Sequence, residues 1–200
     1  MSEIVNAYFD GRRYRVGIVT PAAADPVSIS EAKLHCRIDE TADNATVAAL
    51  VKAATAVCEN YMRRPIMTQE FRQQFDQWPC STFLELARAP LISVTSVNTY
   101  NEADVATLFA ASNYYVDAVT LPGRIVLRGG VSWPQWSRYA NPIEVIYKAG
   151  YGTDPNAIPA EIRQAVLATI AWFYENRGDA MADMPEIACV LLAGHRDWAF

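Results

Sequence analysis

The spacing of apolar positions changes twice along the chain and divides it into helical, β and again helical stretches. Val47, Leu50, Val51, Ala54, Val57, Cys58, Tyr61 and Met62 recur at steps of three and four, with Lys52, Thr55, Glu59 and Asn60 largely off that stripe. This predicts a long amphipathic helix, which Asp43 or Thr41 can cap. From Met67 the step falls to two: Met67, Phe71 and Phe75 share one side of a run whose other side carries Thr68, Glu70, Arg72 and Gln74. Short β-like segments follow, TFLELAR, ISVTSVNTY, NYYVDAV, GRIVLRG and PIEVIYKAG, separated by turn signals at Ala89-Pro90, Pro122-Gly123 and Gly129-Gly130. The connections are too short for helical crossovers, so the region from about 66 to 151 is predicted to be antiparallel. Helical spacing returns in EIRQAVLATIAWFYENR, apolar around most of its circumference and therefore packed on several sides. Pro159 suits its first position, Glu161 its first turn and Gly178 its stop. PEIACVLLAG predicts a last short helix, and HRDWAF ends the chain.

The start of the chain adds a hairpin. IVNAYF and RRYRVGIV flank Asp10-Gly11, a dipeptide suited to the positive φ angles of a tight turn. TPAAADP then reads as a linker. In SISEAKLHCRI, Ser28 and Glu31 have the form of a capping box, with Ile29, Leu34 and Ile38 as the apolar contacts of a short helix.

The long helix runs into CENYMRRP, where two arginines precede a proline. Helix-end chemistry is the favoured reading: Arg63 and Arg64 fall in the last turn, where cations meet the negative end of the helix dipole, and Pro65 prevents continuation. A nucleic-acid patch is the competing one, but no further basic cluster or set of base-stacking aromatics accompanies the pair.

Composition narrows the function classes. The 200 residues fit one domain of ordinary size, or one with an insertion, and 52% hydrophobic content supplies a real core. A net charge of -5 gives no bulk attraction to nucleic acid. Arginine greatly outnumbers lysine, which occurs only at Lys33, Lys52 and Lys148, and arginine is the cation suited to protein interfaces. No apolar run approaches the roughly 20 residues needed to span a bilayer, and MSEIVNAYFDGRRYRV lacks the pattern of a signal peptide. Cys36, Cys58, Cys80 and Cys189 are scattered without a CxxC pair, so neither a disulfide framework nor a zinc site is expected.

Catalytic patterns are sparse. His35 and His195 stand near opposite ends of the chain, and His35 beside Cys36 is no Cys-His pair, because neighbours on a helix point apart. No GxSxG, GxxxxGK[ST] or HExxH pattern occurs. Trp133, Pro134 and Trp136 read as a packed loop rather than a ligand cage, and Asp39-Glu40 and Glu102 with Asp104 as solvated acids. No catalytic residue, cofactor or metal is therefore expected.

The order of elements nevertheless resembles a known family. VSISEAKLHCRID, DNATVAALVKAATAVCENYMRRPIMTQEF, LARAPLISVTSVNTY, YYVD with GRIVL and WP, and IEVIYKAGYGTDPNAIPAEIRQAVLATIAWFYENR together resemble the head–tail connector, or adaptor, proteins of tailed bacteriophages, over roughly Val27 to Arg177. In that family an EnYxxRxi signature ends the long helix and leads into a β insertion, as Glu59 to Ile66 does here. The resemblance implies an α+β, mainly α fold: a helical bundle with a small antiparallel β unit inserted between the second and third main helices. The N-terminal β-hairpin is an extension outside the family core. The expected segments are 1–26 (hairpin and linker), 27–65 (first helical part), 66–151 (β unit), 152–194 (second helical part) and 195–200 (tail).

The implied role is non-enzymatic. Copies form a ring under the portal in the virion neck, assembled in the host cytoplasm, that extends the DNA channel and receives the next neck or tail component. The implied partners are further copies of the chain, twelvefold to match the portal, together with the portal protein and a stopper or tail terminator protein. Double-stranded DNA passes without sequence-specific binding, and no membrane is involved. Overall acidity fits a channel wall that repels phosphates. Arg63, Arg64, Arg196, Trp198 and Phe200 are the expected partner-binding residues, the last three because HRDWAF reads as a free segment after Gly194 that docks onto the portal or folds back on its own bundle. A phage stopper or tail-completion protein is the alternative, and a cytoplasmic small-molecule enzyme a remote one.

Overall fold

The computed structural model describes residues 5–9, 12–39, 43–176 and 184–197, the side chains of 5–9, 12 and 13 excepted. The expectations for Asp10-Gly11, Glu40, Thr41, Gly178, Trp198 and Phe200 lie outside the described residues. Two compact units form: one from the described residues up to 21 and 68–150, the other from those of 22–67 and 151–197.

The first unit is built on strands, with a short 3-10 turn at Ala111–Asn113. Its strands are β1 (Val5–Phe9), β2 (Arg12–Thr20), β3 (Gln69–Phe75), β4 (Phe83–Glu85), β5 (Leu91–Tyr100), β6 (Ala106–Leu108), β7 (Tyr114–Asp117), β8 (Arg124–Leu127) and β9 (Ile143–Ala149). Six make one sheet in the order β1-β2-β3-β9-β5-β6 and three make a second, β4-β8-β7. Every pairing is antiparallel. β2 pairs with β3 from Tyr14↔Phe75 to Thr20↔Glu70, so the hairpin shares one sheet with the later strands. Phe71, Phe75, Val97, Ile125, Val145 and Tyr147 are among the buried side chains of this unit's core. Trp133 stacks on Trp78 with ring centroids 4.5 Å apart, and its Nε1 donates to the carbonyl of Ser81 at 2.9 Å. Trp133 is packed, as the sequence suggests, and the carbonyl of Pro134 accepts from Trp78 Nε1 at 2.9 Å, but Trp136, also expected in the packed loop, is exposed.

Alternation in β3 places Gln69 and Gln73 on the same buried side as Phe71 and Phe75. A buried amide needs partners, and Gln73 Oε1 accepts from the backbone N–H of Ala87 at 2.9 Å and from the Tyr147 hydroxyl at 3.1 Å. That hydroxyl in turn accepts from the N–H of Arg88 at 3.2 Å. Burial drives the Tyr147 phenol well above the ordinary tyrosine range.

The second unit holds α1 (Ile29–Cys36), α2 (Asn44–Met62), α3 (Ala160–Glu175) and α4 (Glu186–Ala193). The Ser28 side chain accepts from the N–H of Glu31 at 3.1 Å, which is half of the expected capping box. The other half is missing because Glu31 Oε2 instead binds Arg163 Nη2 of α3 at 2.7 Å. Ala32 is the buried residue of α1, while Ile29 and Leu34, expected in the core, are exposed. The α2 stripe buries Val47, Val51, Ala54, Cys58 and Met62. On α3 it is Ile162, Ala165, Val166, Leu167, Thr169 and Ile170 that are buried. Pro159 stands one position earlier than expected, as the N-cap.

The α+β class holds, but the mainly α expectation is corrected: strands occupy about as much of the described chain as helices do. Two things hid that balance. The hairpin joins the six-stranded sheet rather than standing outside it, and β6 is only three residues long, all of them exposed.

Candidate functional site

CENYMRRP folds into a tied corner of the second unit. α2 ends at Met62 because Arg63 adopts the left-handed conformation, φ 58°, and its N–H bonds back to the carbonyl of Glu59. The two arginines therefore stand just beyond the last turn rather than in it. The N–H of Arg64 reaches the same carbonyl at 3.3 Å, and the Glu59 carboxylate accepts from the N–H of Ile66 at 2.7 Å. A left-handed non-glycine residue costs about 1 kcal/mol; three bonds to one glutamate hold it in place. Ile66 and Met62 are fully buried, so the corner is anchored in the core as well.

The chain after α4 returns to this corner. The N–H of Asp197 donates to the carbonyl of Met62 at 2.9 Å, and its carboxylate faces Arg64 Nε at 3.8 Å. The Arg196 guanidinium lies 5.0 Å from the Tyr61 ring centroid, a cation–π arrangement. His195 Nδ1 and the Tyr151 hydroxyl are 3.4 Å apart, their rings edge-on. The Tyr61 hydroxyl donates to the carbonyl of Cys189 in α4 at 3.4 Å. Residues 195–197 are therefore a clasp on the end of α2, and the expectation of a free segment beginning after Gly194 is corrected. The cause is the ring, carboxylate and backbone complementarity just described.

Of the expected site residues, Arg63 is exposed at the corner, Arg64 is mostly buried against Asp197, and Arg196 is folded onto Tyr61. Trp198 and Phe200 are outside the described residues. Glu59, Tyr151, His195 and Asp197 complete the corner. Glu59 opens the EnYxxRxi signature, but no residue type or spacing marks Tyr151, His195 and Asp197 for this corner, because they reach it only in the fold. Among the described residues no three metal-binding side chains converge. The chemistry at hand is fastening: a strained corner, an ion pair and a stacked cation.

The sequence model of one family, described as head completion protein, matches residues 27–181. The chain belongs to that family. No curated protein matches it. Among solved structures, a chain in the neck of an empty GTA particle, computed with C6 symmetry, is similar with a TM-score of 0.78 and 25% identity. That likeness covers 90% of this chain and 94% of the other. A chain in the virion of a native gene transfer agent particle gives a TM-score of 0.76 at 25% identity, covering 90% and 94%. A chain in the neck of a native GTA particle, computed with C12 symmetry, gives 0.74 at 24% identity, covering 98% of this chain and 94% of that one. The family match begins at Val27, so the hairpin of β1 and β2 precedes the part shared with the head completion family.

Proposed function

We infer that this head completion protein is a structural virion protein of a tailed particle, a head–tail connector standing as a ring in the neck. The observation that carries the reading is the agreement between the family match over 27–181 and the likeness, over 90% of the chain, to a protein in the neck of a gene transfer agent particle. The action needs no catalysis. A closed ring is heterologous, so each copy presents two different faces, and function follows from geometry and interface affinity.

The finer reading is a ring of twelve copies against the portal protein, receiving a stopper or tail terminator on its other side, with DNA passing through unbound. Arg63, exposed at the end of α2, is offered to a neighbouring copy. Arg64 and Arg196 fasten the start of the tail within the chain, leaving Trp198 and Phe200 as the proposed portal contacts. Truncation therefore has to begin at Trp198, since Asp197 belongs to the clasp. A chain ending at Asp197 is expected to stay soluble with an unchanged melting temperature and to fail to join portal-bearing heads. Attachment at the normal level by that chain rules out the portal role of the tail. Particles made without this protein are expected to be DNA-filled heads lacking tails, whereas a normal yield of tailed particles contradicts the connector reading.

A further inference from the structure

α4 is apolar on two sides. Ala188 and Leu192 are buried within the second unit, while Ile187 and Val190 are 57% and 65% exposed. Gly194 continues the outward row four positions beyond Val190, Leu191 beside it is half-buried against the core of its own unit, and no atom stands within 4 Å of where a Cβ on Gly194 would lie. The row thus ends in open space. A helix apolar on both sides is normally covered on both. A second exposed apolar side chain stands on α1, where Leu34 is 81% exposed. Around it are the exposed His35 and Arg37, whereas exposed Glu186 begins the α4 row.

The two patches cannot cover one another within one chain. Lys33 of α1 bonds Asn44 at the start of α2, and Cys189 of α4 meets Tyr61 near its end. Those points on α2 are about 25 Å apart at 1.5 Å per residue. Two different, separated apolar patches are what a head-to-tail ring requires.

We propose that α1 of one copy docks on α4 of the next, with Leu34 seated in the row formed by Ile187, Val190 and Gly194, and Arg37 facing Glu186. The proposal rests on the connector reading and supplies its subunit interface. The occupant is a second copy because each patch carries what the other lacks: a single protruding leucine with the Arg37 cation meets an apolar row with an open end and the Glu186 carboxylate.

The test places a photo-crosslinking amino acid at position 34 of the full chain in assembled particles, followed by mass-spectrometric mapping. The expected result is dimers and longer ladders with adducts between position 34 and 186–194 of another copy. Val190→Asp, at an exposed site that leaves the fold intact, is expected to lower the dimer about tenfold or more, as loss of an interface centre does. Arg37→Glu should lower it about two- to fivefold, the range of a surface ion pair, and adding Glu186→Arg should restore it. Ladders whose adducts map away from α4 overturn the interface and leave the connector reading standing. A particle holding one unpaired copy overturns both.

Discussion

Replacing Asp197 by alanine tests whether the clasp is part of the core. The backbone N–H that bonds Met62 survives the substitution, so the change isolates the carboxylate. The Arg64 and Asp197 side chains are 13% and 7% exposed, which leaves Arg64 largely desolvated when its partner is removed. Breaking a fully buried pair costs about 3–5 kcal/mol. At 3.8 Å this pair is longer than a hydrogen bond and weaker, so the expected loss is about 1–3 kcal/mol. For a protein of this size that is a melting-temperature fall of about 4–8 °C at the midpoint of the range. Calorimetry on Asp197→Ala, Arg64→Ala and the double variant forms a cycle. The double variant is expected to lose at least about 1 kcal/mol less than the sum of the single losses, because each single change strands the other charge. Strict additivity, within about 0.5 kcal/mol, refutes the pair as a coupled element and with it the clasp.

Tyr147→Phe leaves the N–H of Arg88 without the hydroxyl it donates to, and is expected to cost about 1–3 kcal/mol in urea unfolding. Burial pushes the Cys58 thiol up to about 11, so at pH 8 a thiol reagent should modify exposed Cys80 quickly and Cys58 only on unfolding. The Arg124 guanidinium, and then the N–H of Thr120, hold the Asp117 carboxyl below its ordinary value. The Asp117–Arg124 pair across β7 and β8 therefore contributes stability above the ordinary carboxylate range and loses it as pH falls through the lowered value. An NMR titration should find that lowered midpoint, and Arg124→Leu should raise it.

Periodicity made the helices of the second unit legible, and alternation found most strands, because both signals reflect burial of one side. It misplaced Leu34, which has the hydropathy of a core residue and faces outward. Gln73 shows the converse: a polar side chain on the buried side of β3, invisible until Tyr147 and Ala87 supply its partners. The helix-end reading of Arg63 rested on local chemistry, and Arg63 is the C-cap. Asp197 was not legible, since its partners Met62 and Arg64 are more than a hundred positions away.

The central claim is a repeated ring in the neck, and a reconstruction of particles made with this chain, with no symmetry imposed, tests it most directly. The account predicts many copies arranged by rotation about the channel axis beneath the portal, twelve if the match to the portal is exact in number. A single copy off the axis, or a neck from which the chain is absent, contradicts it.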